Sequence, residues 1–121
     1  MVSGPAKLLT MARSADFWNG SLDFLHSLKH LPGAMANAGL LESVRNDWQE
    51  RVIARTSMHD LLFTLPEQGF PWAVDVRVSA VGDEFEFSLH RQGKVVTADR
   101  CIAANGRTVL QAFLEELVAE D

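Results

Sequence analysis

With 121 residues, 47% of them hydrophobic and 22% charged, the chain has enough apolar material for one globular domain and too much for a disordered one. Eleven basic against sixteen acidic side chains give a formal charge of -5 and a pI near 5.3, a balance that speaks against nucleic acid as a partner. Its one cysteine, Cys101, has no intramolecular partner, so a reducing cytoplasm is the economical location. No run of about 18 apolar residues occurs, so no helix is expected to span a membrane. Lys7, Thr10, Arg13 and Asp16 interrupt the N-terminal stretch before it reaches signal-peptide length.

Ser3-Gly4-Pro5 reads as the start of a first helix over about 5–17, with Leu8, Met11, Ala12 and Ala15 on one side. Asn19-Gly20 interrupts it. Ser21 is placed to cap a second helix over about 21–31, which turns Leu22, Leu25 and Leu28 inward and ends at Pro32-Gly33. A third helix is expected over about 37–54, where Leu41, Val44, Trp48 and Val52 recur at steps of three and four. Residues 57–65 fit two patterns. Ser57 and Asp60 have capping spacing, which favours a helical turn, while Leu61, Phe63 and Leu65 alternate like a fourth strand.

After the Pro/Gly-rich stretch 66–71, the pattern changes to alternation. It predicts an antiparallel meander with strands over about 72–81, 84–91 and 94–102, turning at Gly82-Asp83 and Gln92-Gly93. Trp72 would open the first strand on the apolar face. The first turn sets Ala80 against Phe85, Val78 against Phe87 and Val76 against Leu89 on that face. Ser79 then meets Glu86, Arg77 meets Ser88 and Asp75 meets His90 on the wet face. Carrying the second turn forward pairs Glu86 with Asp99 and sets Arg100 beside Phe85 on the apolar face. That misfit calls for a bulge near Asp99-Arg100 or a turn displaced by one residue. Asn105-Gly106 ends the sheet. Thr108 and Gln111 have capping-box spacing for a last helix over about 108–119, whose apolar stripe fits across the meander. The fold class is therefore α+β in a single domain.

Little in this pattern carries catalytic chemistry. His26 and His30 are four apart with Asp23 nearby, but a glutamate base and a clear third ligand are missing, and no metal site follows. Cys101 has no histidine placed beside it by any motif, and Ser57, His59 and Asp60 are better explained by capping than by a catalytic set. The glycines stand singly at turns rather than in a phosphate loop, so no cofactor is implied. The wet face of the meander is the stronger constellation. Asp75, Arg77, Glu84, Glu86 and Asp99 share it in this register, an acidic surface suited to a protein partner with a basic surface. Trp18, beside Phe17, is a candidate aromatic anchor for the same purpose.

The order helix, three strands, helix resembles that of double-stranded-RNA-binding domains. That family carries a lysine-rich start to its last helix, whereas Asn105-Gly106-Arg107-Thr108 has one basic residue. As a small acidic chain with an amphipathic last helix, the protein is also similar in class to bacterial secretion chaperones and toxin-immunity proteins, which implies protein binding. The reading preferred here is a non-enzymatic protein-binding domain using the acidic sheet face. A small enzyme or small-molecule binder is the rival, with a pocket between the helical half and the sheet. It requires His26, His30, His59 or Glu84 and Glu86 to converge.

Overall fold

Two helices, five strands and a final helix follow one another along the chain. They are α1 (Pro5–Ser27), α2 (Pro32–Trp48), β1 (Ile53–Ser57), β2 (Asp60–Thr64), β3 (Val74–Val81), β4 (Glu84–Arg91), β5 (Lys94–Ile102) and α3 (Gly106–Ala119), with a short 3-10 turn at Ala103–Asn105 before α3. The structure, a computed structural model, describes residues 5–66 and 68–119, with side chains from Ser14 onward. The inward positions expected at Leu8, Met11 and Ala12 lie outside the described side chains.

The five strands form one antiparallel sheet in the order β1-β2-β3-β4-β5. Its helix-ward face carries Ala54, Leu61, Phe63, Val76, Val78, Phe85, Phe87 and Leu89, all buried with Leu22, Leu25, Leu41, Val44, Leu110, Leu114 and Leu117 of the helices. Alternation at period two produces this face, and the helices' apolar stripes cover it. Phe87 stacks on Phe113 of α3 with ring centroids 5.6 Å apart, so α3 lies across the meander as its stripe requires. Trp48 is in the core, and the three pairs expected on each face of β3 and β4 are all present.

The N-terminal half departs from the sequence reading. The helix does not break at Asn19-Gly20, and α1 continues to Ser27. A glycine inside a helix costs only about 0.5–1 kcal/mol relative to alanine, which burial of Trp18, Leu22 and Leu25 outweighs. Ser21 does not cap a helix. Its hydroxyl donates to the Ala54 carbonyl at 2.8 Å. Pro32 starts α2 instead of stopping a helix: Leu31 is held extended before it, and proline at the first helical position gives up no bond. α2 ends at Trp48, short of the expected residue 54, because 53–57 is the first strand.

Residues 57–65 are therefore not a helical turn. Ile53–Ser57 and Asp60–Thr64 make a hairpin, and the sheet has five strands rather than three or four. Two residues, Met58 and His59, form its turn, with Met58 at a φ of 57°, a conformation in which the sequence gives no glycine to signal it. Trp72 lies before β3 rather than in it. Two N-terminal helices and five strands also separate this topology from the αβββα order.

The third meander strand contains a bulge, one of the two alternatives the sequence left open, but near Val96 rather than at Asp99-Arg100. Arg91 pairs with Lys94 and His90 with Val95 across the Gln92-Gly93 turn, both of whose residues have positive φ. Leu89 then pairs with Thr97, leaving Val96 extra. Beyond this bulge Glu86 faces Arg100, and Phe87 faces Asp99. The expected Glu86–Asp99 pair does not form, and Arg100 escapes the apolar face.

The last helix begins at Gly106, so Thr108 lies inside it and caps nothing. A Cβ at Gly106 would stand 2.8 Å from Cδ2 of Phe85 and 3.3 Å from a Leu40 methyl. The helix start is pressed onto both the sheet and α2. Gly106→Ala should therefore lower stability by about 1–3 kcal/mol through overpacking. Urea unfolding would measure it; an unchanged midpoint would mean that Phe85 yields without strain.

Candidate functional site

Among the described residues, no helix lies over the β3–β5 part of the sheet's second face, and α1 reaches only its β1 end through Phe17. Four rows of side chains cross this face. One runs through Arg55, Leu62, Arg77, Ser88 and Ala98, one through Thr64, Asp75, His90 and Val95, one through Ser79, Glu86 and Arg100, and one through Val81, Glu84 and Ile102. Trp72 covers part of the β1–β2 end. The Gln68 side-chain oxygen holds its loop by accepting the backbone N–H groups of Ala73 at 3.0 Å and Val74 at 3.3 Å. The Trp72 ring meets Phe70 edge-on, with centroids 5.2 Å apart.

Of the six residues singled out from sequence, four share this open face and two do not. Asp75, although on the wet side, is only 2% exposed, and its carboxylate accepts the Arg77 Nε–H at 2.9 Å. Glu84 and Glu86 both lie against Arg100, which hydrogen-bonds Glu86 and stands 3.9 Å from Glu84. The face is thus mixed in charge rather than acidic throughout. Asp99 projects to the helix-ward side opposite Phe87, where it stays exposed and accepts the Arg100 backbone N–H at 2.7 Å. Trp18 is fully buried, its ring tilted against Phe63 and its indole N–H donated to the Val52 carbonyl at 2.9 Å. It has no surface to offer a partner.

The histidines that an enzyme reading requires are dispersed, and Glu84 and Glu86 meet at Arg100 rather than at any of them. His26 and His30 are exposed at the C-terminal end of α1 and just beyond it, and His59 sits in the β1–β2 turn beside Gly33. Among the described residues, no group of three or more His, Cys, Asp or Glu is arranged to hold a metal ion. Ser88 Oγ and His90 Nε2 do meet, at 2.8 Å. A nucleophilic set would also need an acceptor on the other ring nitrogen, yet among the described residues His90 Nδ1 is buried without a partner while Asp75 is engaged by Arg77. Burial, then the Arg77 cation, lowers the His90 pKa against the opposing pull of Asp75. Burial pushes the Cys101 thiol up, and Asp99 and Glu84 push the same way. A thiol so placed is kept from the thiolate form that nucleophilic chemistry needs.

Sequence reasoning missed Arg55. Its guanidinium carbon lies 4.6 Å from the centre of the Phe17 ring and 5.2 Å from that of Trp72, while its Nε donates to Thr64 Oγ1 at 3.2 Å. Beside it a cavity of about 510 Å³ opens between α1, the first hairpin and the Trp72 loop. Nothing in the sequence spacing connects positions 17, 55 and 72. Only the roll of α1 along the sheet edge does.

The two edges of the sheet are treated differently. At β1, α1 supplies the Trp18 and Ser21 donors to the Val52 and Ala54 carbonyls, covering the edge with a helix. At β5 no element lies alongside among the described residues, and every residue from Lys94 to Arg100 is exposed. Val95, Val96 and Ile102 are 59%, 48% and 55% exposed. Comparisons with protein-family models, curated proteins and solved structures return no match to this chain.

The lowered His90 pKa has a consequence for stability. The folded chain takes up this proton at a lower pH than the unfolded chain, whose histidine titrates near about 6.5. The contribution is complete above the unfolded value and is lost as pH falls through it towards the folded one. His90→Gln should therefore lose less urea resistance than the wild type between about pH 7.5 and about pH 5.5. An equal loss in both proteins would assign the acid sensitivity to other groups.

Proposed function

We propose that this chain is a protein-binding domain that receives an extended segment of a basic protein along β5. The observation that carries this reading is the bare β5 edge, set against a β1 edge that the fold closes with a helix. A strand edge presents unpaired N–H and C=O groups that an incoming segment can continue. Lys94 and the bulge at Val96 blunt the first part of β5, which leaves 97–102 as the regular portion. Strand alternation directs the backbone groups of Ala98, Arg100 and Ile102 outward. Asp99 occupies the Arg100 N–H, which fits an edge kept quiet until a partner displaces that carboxylate.

Charge supports the class of partner. Around the regular part of β5, Glu84 and Glu86 share the one cation Arg100 on the open side, and Asp99 stands exposed on the other side without a side-chain cation among the described residues. This acidic surplus and the formal charge of -5 favour encounter with a basic surface. Apolar contact would come from Ile102 and Val95 on the open side. A second copy of the chain is a weaker occupant, because two-fold pairing centred on Asp99 or Arg100 would oppose like charges.

Ala98→Pro tests the reading, since it removes an outward N–H and no bond to β4, a place where an edge strand tolerates proline. Proteins retained from the host lysate by the immobilised wild type would be identified and each measured against both forms. The expected result is a basic partner whose binding protects amides 97–102 from hydrogen exchange and is lost with Ala98→Pro. Replacing Glu84 and Glu86 by lysine should slow its association and flatten the salt dependence. Equal binding by the proline variant would overturn edge pairing, and concentration-dependent dimerisation lost in that variant would favour self-association.

A further inference from the structure

The cavity beside Arg55 has the makings of a second binding site, at the opposite edge of the sheet from β5. Phe17 and Trp72 flank the guanidinium, and the bond from Nε to the fully buried Thr64 hydroxyl fixes how the group lies. Neither Nη nitrogen has a hydrogen-bond acceptor, and no carboxylate forms an ion pair with Arg55, among the described residues. Burial lowers the pKa of this guanidinium, the mark of a cation withdrawn from water without a counter-charge. Leaving a partly desolvated charge unpaired is unfavourable, and an anion that pairs with it recovers that loss.

The walls limit what the anion can be. Phe17, Leu62 and Trp72 give an apolar lining, Thr56 adds a hydroxyl, Ser21 lines the wall with its hydroxyl given to Ala54, and Asp16 stands at the exposed rim. A cationic ligand has no place, because the protein's own guanidinium already fills the aromatic cage. A dianion is disfavoured by one arginine set against Asp16. A planar monoanion matches the two-nitrogen fork of arginine, and the apolar lining asks for a hydrocarbon or aromatic body behind it. The volume of about 510 Å³ suits a small organic molecule.

Gly20 adds an independent observation. It lines the cavity from the middle of α1, and a Cβ there would meet nothing within 4 Å. Alanine would strengthen the helix by about 0.5–1 kcal/mol, so the fold gains nothing from glycine at this position. What glycine does is keep that wall of the cavity low. We infer that the space bounded by Phe17, Gly20, Arg55, Leu62 and Trp72 binds a small monocarboxylate with an apolar or aromatic body, its carboxylate paired with Arg55.

The test uses 4-phenylbutyrate and its neutral amide as probes, followed by the side-chain N–H resonances of Trp72 and Arg55 in the whole protein. The acid should shift both signals saturably, and the amide should bind at least about tenfold more weakly, the minimum expected for loss of a charge-assisted pair. Arg55→Lys should weaken the acid because the fork is lost, and Gly20→Leu should block it while leaving Arg55 in place. Both variants are first checked by circular dichroism. Equal affinity for acid and amide overturns the inference, as does the absence of a saturable shift up to about 10 mM, a range in which a weak small ligand still registers. Both of these outcomes are read on the unaltered protein and do not depend on whether a variant folds. Shifts that centre on β5 instead would also overturn it.

Discussion

The seating of α1 on the first strand is the contact on which the rest of the molecule depends. Trp18 is buried with its ring near Phe63 and its indole N–H on the Val52 carbonyl, and Ser21 reaches the next outward carbonyl, that of Ala54. A buried indole N–H or strand carbonyl left without a partner would cost about 1–3 kcal/mol, so each bond removes a penalty on both sides. The same seating closes one edge of the sheet, brings Phe17 round to Arg55, and leaves β5 as the edge that can be extended. Both proposed sites are consequences of where one helix lies.

A single extra residue on the far side has comparable reach. Val96 is left out of the ladder, and every side chain after it changes face. Arg100 comes to lie between Glu84 and Glu86, while Asp99 moves to the helix-ward side. Without the bulge, an arginine would be pressed against Phe85 and two carboxylates would oppose each other across the strands. The bulge also twists and interrupts the edge at its start, as exposed strands commonly do to discourage indiscriminate pairing.

The open face illustrates how polar residues on a sheet acquire different roles from one shared alternation. Asp75 and Arg77 form an ion pair under the Trp72 loop, one partner almost fully buried and the other half-exposed. Ser88 and His90 touch, but among the described residues the histidine has no second partner of the kind that would make the pair reactive. Neither pair places an activated nucleophile on this face among the described residues. The cavity near Arg55 differs because aromatic rings have withdrawn a cation from solvent there.

The residues themselves determined the α+β class, the pairing of β3 with β4 and the helix that covers them. Alternation around a two-residue turn has one register that keeps both phenylalanines inside, and the broad stripe of 109–118 has one place to go. Helix ends in the first half were not legible, because Gly20, Ser21 and Pro32 carry the same local signals whether they interrupt a helix, face a neighbouring strand or begin the next helix. The first hairpin hid for a related reason: its turn uses Met58, where pattern reading looks for glycine or asparagine. Only the tertiary structure decided that Trp18 is sealed in the core, that Arg55 stands between Phe17 and Trp72, and that one edge is closed while the other is uncovered among the described residues. These depend on contacts between positions more than 15 residues apart, which carry no periodic signature, and on the packing of α1 against a strand that local propensity did not reveal.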